Sequence, residues 1–166
     1  DTICLEKFVK FDLSHELVVR VAAGVTVKEL SDFQQRNQFN LRTDVEDVGH
    51  TVIGSIVCGR HTLITAPNNR SYATLADLVV QIRIINNHGD MITFKDDGTE
   101  EKAAELKAVV TNLGMMGVVY DVLLRIVDIT PTEVSYEYVP LHGIMSEPNK
   151  LIERTKNRYG LQVIYT

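Results

Sequence analysis

No run in this chain approaches the roughly 20 apolar residues needed to cross a bilayer. No apolar stretch at its start reads as a signal peptide either. The expectation is a chain without a transmembrane segment. The chain opens on Asp1 rather than methionine, so a processed or truncated start is expected. An excess of positive charge is also missing. Seventeen Lys and Arg stand against 22 Asp and Glu, a formal charge of −5, which gives no support for a nucleic-acid partner. Cysteine is scarce: Cys4 and Cys58 lie far apart in no C-x-x-C pattern. They read as idle thiols rather than metal ligands, with a disulfide between them left open. Cys58 as a redox thiol has only Arg60 nearby to lower its pKa. His50 and His61 lack a third ligand at metal spacing. No Rossmann or P-loop fingerprint occurs.

What is present is ordinary globular material. Apolar residues make up 45% and charged residues 23% of 166 positions, enough to bury a core without staples in one domain or one and a small part of another. One stretch departs from that pattern: Thr-Val-Ile-Gly-Ser-Ile-Val-Cys-Gly-Arg-His-Thr, residues 51–62. Glycines at 49, 54 and 59 let a backbone turn and approach another molecule closely. Core strands and helices rarely spend positions on glycine, so the stretch reads as irregular backbone wrapping a nucleotide-type cofactor. Loops at 43–50, with Asp44, Glu46 and Asp47 in solvent, and at 65–71 flank it.

Around that stretch the periodicities alternate. Residues 3–9 and 16–22 are short apolar segments with a turn at 12–15 between them, and Val18–Val21 reads as a strand. Thr26 and Glu29 form a capping-box pattern, opening a helix with Val27, Leu30 and Phe33 inward and Asn37 as terminator. Residues 39–41 read as a short return strand. Residues 75–85 read as a strand with Leu78, Val80, Ile82 and Ile84 on one face, turning through Asn86–Asp90 into Met91–Phe94. A helix is expected over Thr99–Leu113, with Glu100 and Glu101 favourable to its dipole and Ala103, Leu106, Val109, Val110 and Leu113 buried. Gly114 stops it. Met115-Met116 reads as packing. Residues 118–127 follow as a strand with Val118, Tyr120, Val122, Leu124 and Ile126 on one face. After Pro131, residues 134–139 read as a strand, 148–159 as a helix with Leu151, Ile152 and Thr155 inward, and 161–165 as a last strand: a terminal β-α-β.

The order of these motifs resembles a family. Val21–Thr26, Glu29-Leu30, Thr51–His61, Asp77–Gly89, Leu113-Gly114-Met115-Met116-Gly117-Val118-Val119 and Val122–Arg125 match the FAD-linked oxidases with the vanillyl-alcohol-oxidase type (PCMH-type) FAD-binding domain. The chain is most similar to their sugar-lactone and alditol oxidase branch, through its Gly-Ser-Ile-x-x-Gly-x-His run and the later Gly-x-x-Gly-Val run. The resemblance covers roughly residues 1–130.

It implies an α+β fold: a second FAD subdomain over 1–130, mostly antiparallel sheet with flanking helices, and the start of a substrate or cap domain over 131–166. By motif, it places FAD against Gly54, Ser55, Cys58, Gly59 and His61, and against Gly117, Val118 and Val119. His61 is otherwise a loop histidine satisfied by backbone groups. Close backbone donors suit a pyrophosphate. Ile53, Cys58, Arg60 and Thr62 depart from the family pattern, and a bulky Ile53 narrows a flavin channel. The first FAD subdomain and most of the substrate domain are not matched here, so no catalytic residue is assigned and a second polypeptide or segment is expected to supply the rest. Three functions follow: part of a flavin-dependent oxidoreductase acting on CH–OH groups of sugar-like alcohols or lactones, a non-catalytic relative that binds a ligand, or a structural interaction protein.

Overall fold

Valine-rich alternation organises the sheet, because β-branched side chains fit a pleated, half-buried surface. The computed structural model describes residues 8–13, 16–41, 49–60, 74–129, 133 and 135–155. Five strands, β1 (Phe8–Leu13), β2 (Glu16–Ala22), β4 (Val79–Ile85), β5 (Met91–Lys95) and β6 (Val118–Arg125), form one sheet in the order β1-β2-β6-β4-β5. Every pairing is antiparallel. A two-stranded sheet pairs β3 (Phe39–Asn40) with β7 (Val127–Asp128) and ties the exit of the first helix to the end of β6. The architecture is α+β, with helices α1 (Val27–Asn37), α2 (Val52–Val57) and α3 (Glu100–Val110) flanking the sheet.

One face of the sheet supplies Val19, Val21, Val79, Ile82, Ile84, Val122 and Leu124 to the core. Against it lie Val27 and Leu30 of α1, Val52 and Ile56 of α2, and Leu106, Val109 and Val110 of α3. Val18, Val80 and Leu123 form a second, smaller cluster. Two residues before Leu123, Asp121 is buried and accepts from Arg83 Nε and Nη2. Arg20 Nε lies 3.7 Å from the same carboxylate, and Arg83 also stacks 5.0 Å from the Tyr120 ring centre. The hydrogen bond to Asp121 pushes the Arg83 pKa up, against the opposing effect of burial.

Several boundaries differ from the sequence reading. β1 continues through Asp12 and Leu13, where a turn was expected. Leu75–Leu78 is a 3₁₀ turn rather than the start of the strand. The Asp77 carboxylate accepts from Thr74 N at 2.9 Å and Thr74 Oγ1 at 3.0 Å, which locks that turn. Register shifts in the β4–β6 pairing lie between Val79 and Gln81 and between Arg83 and Ile84. A bulge breaks strict alternation, so Val80 joins the second cluster and Val119, not Val118, enters the core. The left-handed cap of α1 is Gln38 (φ 52°) rather than Asn37, whose side chain instead donates to Phe33 O. Residues 135–139 form no strand. Beyond them lie α4 (Leu141–Ser146) and α5 (Pro148–Thr155), with Ile152 exposed rather than inward. The expected strand at 161–165 lies outside the described residues. Among the described residues, no helix is long and apolar enough to cross a membrane, and no group of three His, Cys, Asp or Glu is placed to hold a metal.

Candidate functional site

The centre of the glycine stretch is a helix, not irregular backbone. Thr51 caps α2 by accepting from Gly54 N at 3.0 Å, just as Thr26 caps α1 by accepting from Glu29 N at 3.2 Å while Glu29 accepts from Thr26 N. Each hydroxyl fills an orphan donor of the first turn. The two caps are joined: Thr26 and Thr51 form an antiparallel bridge, with Val52 N donating to Val25 O and Val27 N to His50 O, both at 2.9 Å. The β2–α1 turn and the glycine segment are thereby one unit. The sequence carried no signal for this cap, since Gly54 stands where Glu29 completes the box of Thr26.

α2 ends on a Schellman motif. Gly59 (φ 61°) donates to Ile56 O at 3.0 Å, and Arg60 N reaches back to Ser55 O at 2.9 Å. Glycine takes this left-handed position without a Cβ penalty. Gly54 also has a packing reason: a Cβ there would sit 2.8 Å from Thr51 Oγ1. Ser55 is 3% exposed, and its Oγ finds no hydrogen-bond partner among the described residues. Buried hydroxyls are ordinarily satisfied. Cys58, at the helix end, is a free, exposed thiol. Ile53 is partly buried and packs on the core, so it fills protein rather than a channel. Cys4 and His61 lie outside the described residues.

The second motif meets the first. α3 stops at Val110, three residues before the expected end, because Asn112 diverts the chain. Its Nδ2 donates to Val109 O at 2.8 Å and its Oδ1 accepts from Gly114 N at 2.6 Å. Met115 N closes a turn onto Asn112 O at 3.0 Å. Both central residues of that turn have positive φ, 53° at Leu113 and 79° at Gly114, the signs a type I′ turn requires. A left-handed leucine costs about 1–2 kcal/mol. Leu113 N in turn donates to Val57 O at 3.2 Å, filling an orphan carbonyl at the end of α2. The tip is apolar and open: Leu113 is 65% exposed, Met115 82% and Val118 68%, with Met116 exposed as well. Leu113 therefore leaves the helix stripe, and the methionines are surface rather than packing.

Gly117 (φ 125°) is jammed against β4. A Cβ would overlap Ile85 O and lie 3.0 Å from Ile84 Cγ2. Val119 is in the core. Of the residues assigned by motif, Ser55, Cys58 and Gly59 therefore stand at one end of α2, and the 112–118 loop docks on that end through Val57 O. Val118 presents its side chain outward, whereas Val119 does not.

Solved structures share this fold. Cholesterol oxidase from Brevibacterium sterolicum, in two structures, superposes with a TM-score of 0.60 at 14% identity over 73% of this chain. Alkyldihydroxyacetonephosphate synthase superposes with a TM-score of 0.50 at 13% identity over 71% of this chain. The chain shares its fold with a part of each. It spans 23% of the cholesterol oxidase chain and 21% of the synthase. No family model matches the sequence, and no curated protein does.

Proposed function

We propose that this chain is the FAD-binding portion of a flavin-dependent oxidoreductase acting on CH–OH groups, with residues 1–130 forming the second FAD subdomain and the segment from 131 beginning a substrate domain. The observation that carries this is the seating of the 112–118 loop on the end of α2 through Leu113 N and Val57 O, which brings together the two motifs that resemble the FAD-linked oxidases. The Ser55 hydroxyl beside them is unpartnered but covered by protein, so a ligand oxygen that offsets its cost of about 1–3 kcal/mol would reach it only as the covering side chains move aside. The shared fold with an enzyme that is by name an oxidase supports the same direction. Ser55, Cys58, Gly59 and the backbone of Gly117 and Val118 would hold the cofactor, with His61 assigned by motif alone. The N–H groups of Gly54, Cys58 and Gly59 are already used by Thr51 Oγ1, Gly54 O and Ile56 O, and Val119 is core, so Gly59 and Cys58 would serve the site by close approach and Gly54 and Val119 only as support. A bound FAD would supply hydride acceptance from a hydroxyl-bearing carbon, with protein groups supplying position and electrostatics. The resemblance of the Gly-Ser-Ile-x-x-Gly-x-His run to the sugar-lactone and alditol oxidase branch favours sugar-like alcohols or lactones as the substrate class.

A second reading has its own observation. Gly54, Gly59 and Gly117 each have a structural reason that needs no ligand, which suits a relative that keeps the fold for binding or interaction without redox chemistry. The visible spectrum of the purified chain, before and after incubation with FAD, separates them. Flavin bands that persist through desalting are expected, and bleaching by a polyol or lactone marks the redox-competent case. A colourless chain that takes up no FAD removes the cofactor from the proposal.

A further inference from the structure

The 112–117 loop holds more constraint than a surface turn needs. Asn112 is 4% exposed, yet its side chain touches the loop itself rather than a distant partner: the Val109 carbonyl behind it and the Gly114 amide ahead. Those two bonds leave Leu113 left-handed and facing solvent, a conformation that leucine avoids in a free chain. With Leu113 so placed, its N–H reaches Val57 O at the end of α2, and Thr111 Cγ2 comes within 3.7 Å of where a Cβ on Gly59 would be. Gly117, pinned on Ile85, fixes the loop's far end. The outcome is a stiff, outward-facing apolar tip seated on the end of the helix that carries Ser55.

We propose that Asn112 is a positioning residue of the ligand site. It acts through Leu113, joining the 51–59 and 112–118 segments into one wall. This rests on the FAD reading given above. Asn112 touches no ligand in this role; its two hydrogen bonds select the turn, and the turn carries the Leu113 amide to α2.

Asn112→Ala removes both bonds and frees Leu113 to leave positive φ. Leu113→Gly in that background restores a residue that takes positive φ without strain. The test measures FAD affinity by flavin fluorescence, amide hydrogen exchange at residue 113 without ligand, and thermal stability, on the 166-residue chain. The expected result is an FAD Kd raised about five- to tenfold in Asn112→Ala, with faster exchange at residue 113, and recovery of both in the double variant. Leu113→Gly alone serves as the control for loss of the leucine side chain. Unchanged FAD affinity in Asn112→Ala despite faster exchange overturns the positioning role while leaving the cofactor reading intact. So does failure of the double variant to recover while its fold is retained. Absence of FAD binding in the unsubstituted chain overturns the cofactor reading and, with it, the ligand role of Asn112. The exchange data still report whether the turn holds the loop.

Discussion

Gly54 and Gly117 look alike in sequence but answer to different forces. Alanine at Gly54 gains about 1 kcal/mol of helix propensity, and crowding Thr51 Oγ1 at 2.8 Å forfeits a cap of about 1 kcal/mol. The two nearly cancel, so Gly54→Ala is expected to change stability by less than about 1 kcal/mol. Gly117→Ala meets backbone and positive φ together, with nothing to offset either. A loss of about 2–4 kcal/mol is expected in urea unfolding. Ser55 carries the opposite signature. Removing an unpartnered buried hydroxyl relieves its desolvation cost, so Ser55→Ala should leave the chain as stable or up to about 1 kcal/mol more stable, while weakening FAD binding. A variant destabilised by a kcal/mol or more, with affinity intact, would show that Ser55 is structural. None of this was legible in the glycine spacing. Gly59 as helix terminator and Gly117 as packing site appear only when their neighbours are in place.

At the scale of elements, threonine does the same work three times. Thr26, Thr51 and Thr99 each cap a helix by accepting from an amide three residues on, and the sequence showed the first of these because Glu29 completes its box. Ahead of α3, Thr99 also donates from its hydroxyl (2.7 Å) and its amide (3.0 Å) to Asp97 Oδ1. The side-chain bond first, then the backbone bond, hold the Asp97 carboxyl below its ordinary range. A carboxylate lowered in this way contributes its stability in full above its ordinary range and loses it as pH falls through the lowered value. Thr99→Ala should therefore raise the Asp97 pKa toward the ordinary range, read by carboxyl-carbon NMR titration, and cost about 1 kcal/mol at neutral pH through the lost cap. An unmoved Asp97 titration would show that Thr99 is not its partner in solution. Element ends were misread where a side chain intervened. Periodicity carries the α3 pattern on to Leu113, but Asn112 ends the helix by bonding its own neighbours. The β6 face pattern failed for a related reason, since a bulge resets which residues point inward.

For the whole molecule, the Arg20–Asp121–Arg83 group joins three strands of the sheet, β2, β6 and β4. Asp121 is buried, while the side chains of Arg20 and Arg83 are 37% and 26% exposed and so retain access to water. Asp121→Ala should consequently cost less than a fully buried pair, about 2–3 kcal/mol in chemical denaturation. A loss below 1 kcal/mol would mean that solvent replaces the carboxylate. The sequence by itself determined the alternation of β-branched strands with capped helices and a hairpin read over 75–94, and its motifs resemble a family whose fold is α+β. Those features depend on neighbours a few residues apart, so local spacing encodes them. The tertiary structure alone decided that residues 51–59 are a capped helix joined to the β2–α1 turn, that the 112–118 loop seats on its end, and that Ser55 is buried without a partner. Each depends on which distant segments the fold brings within hydrogen-bond reach, and no periodicity along a single chain specifies that.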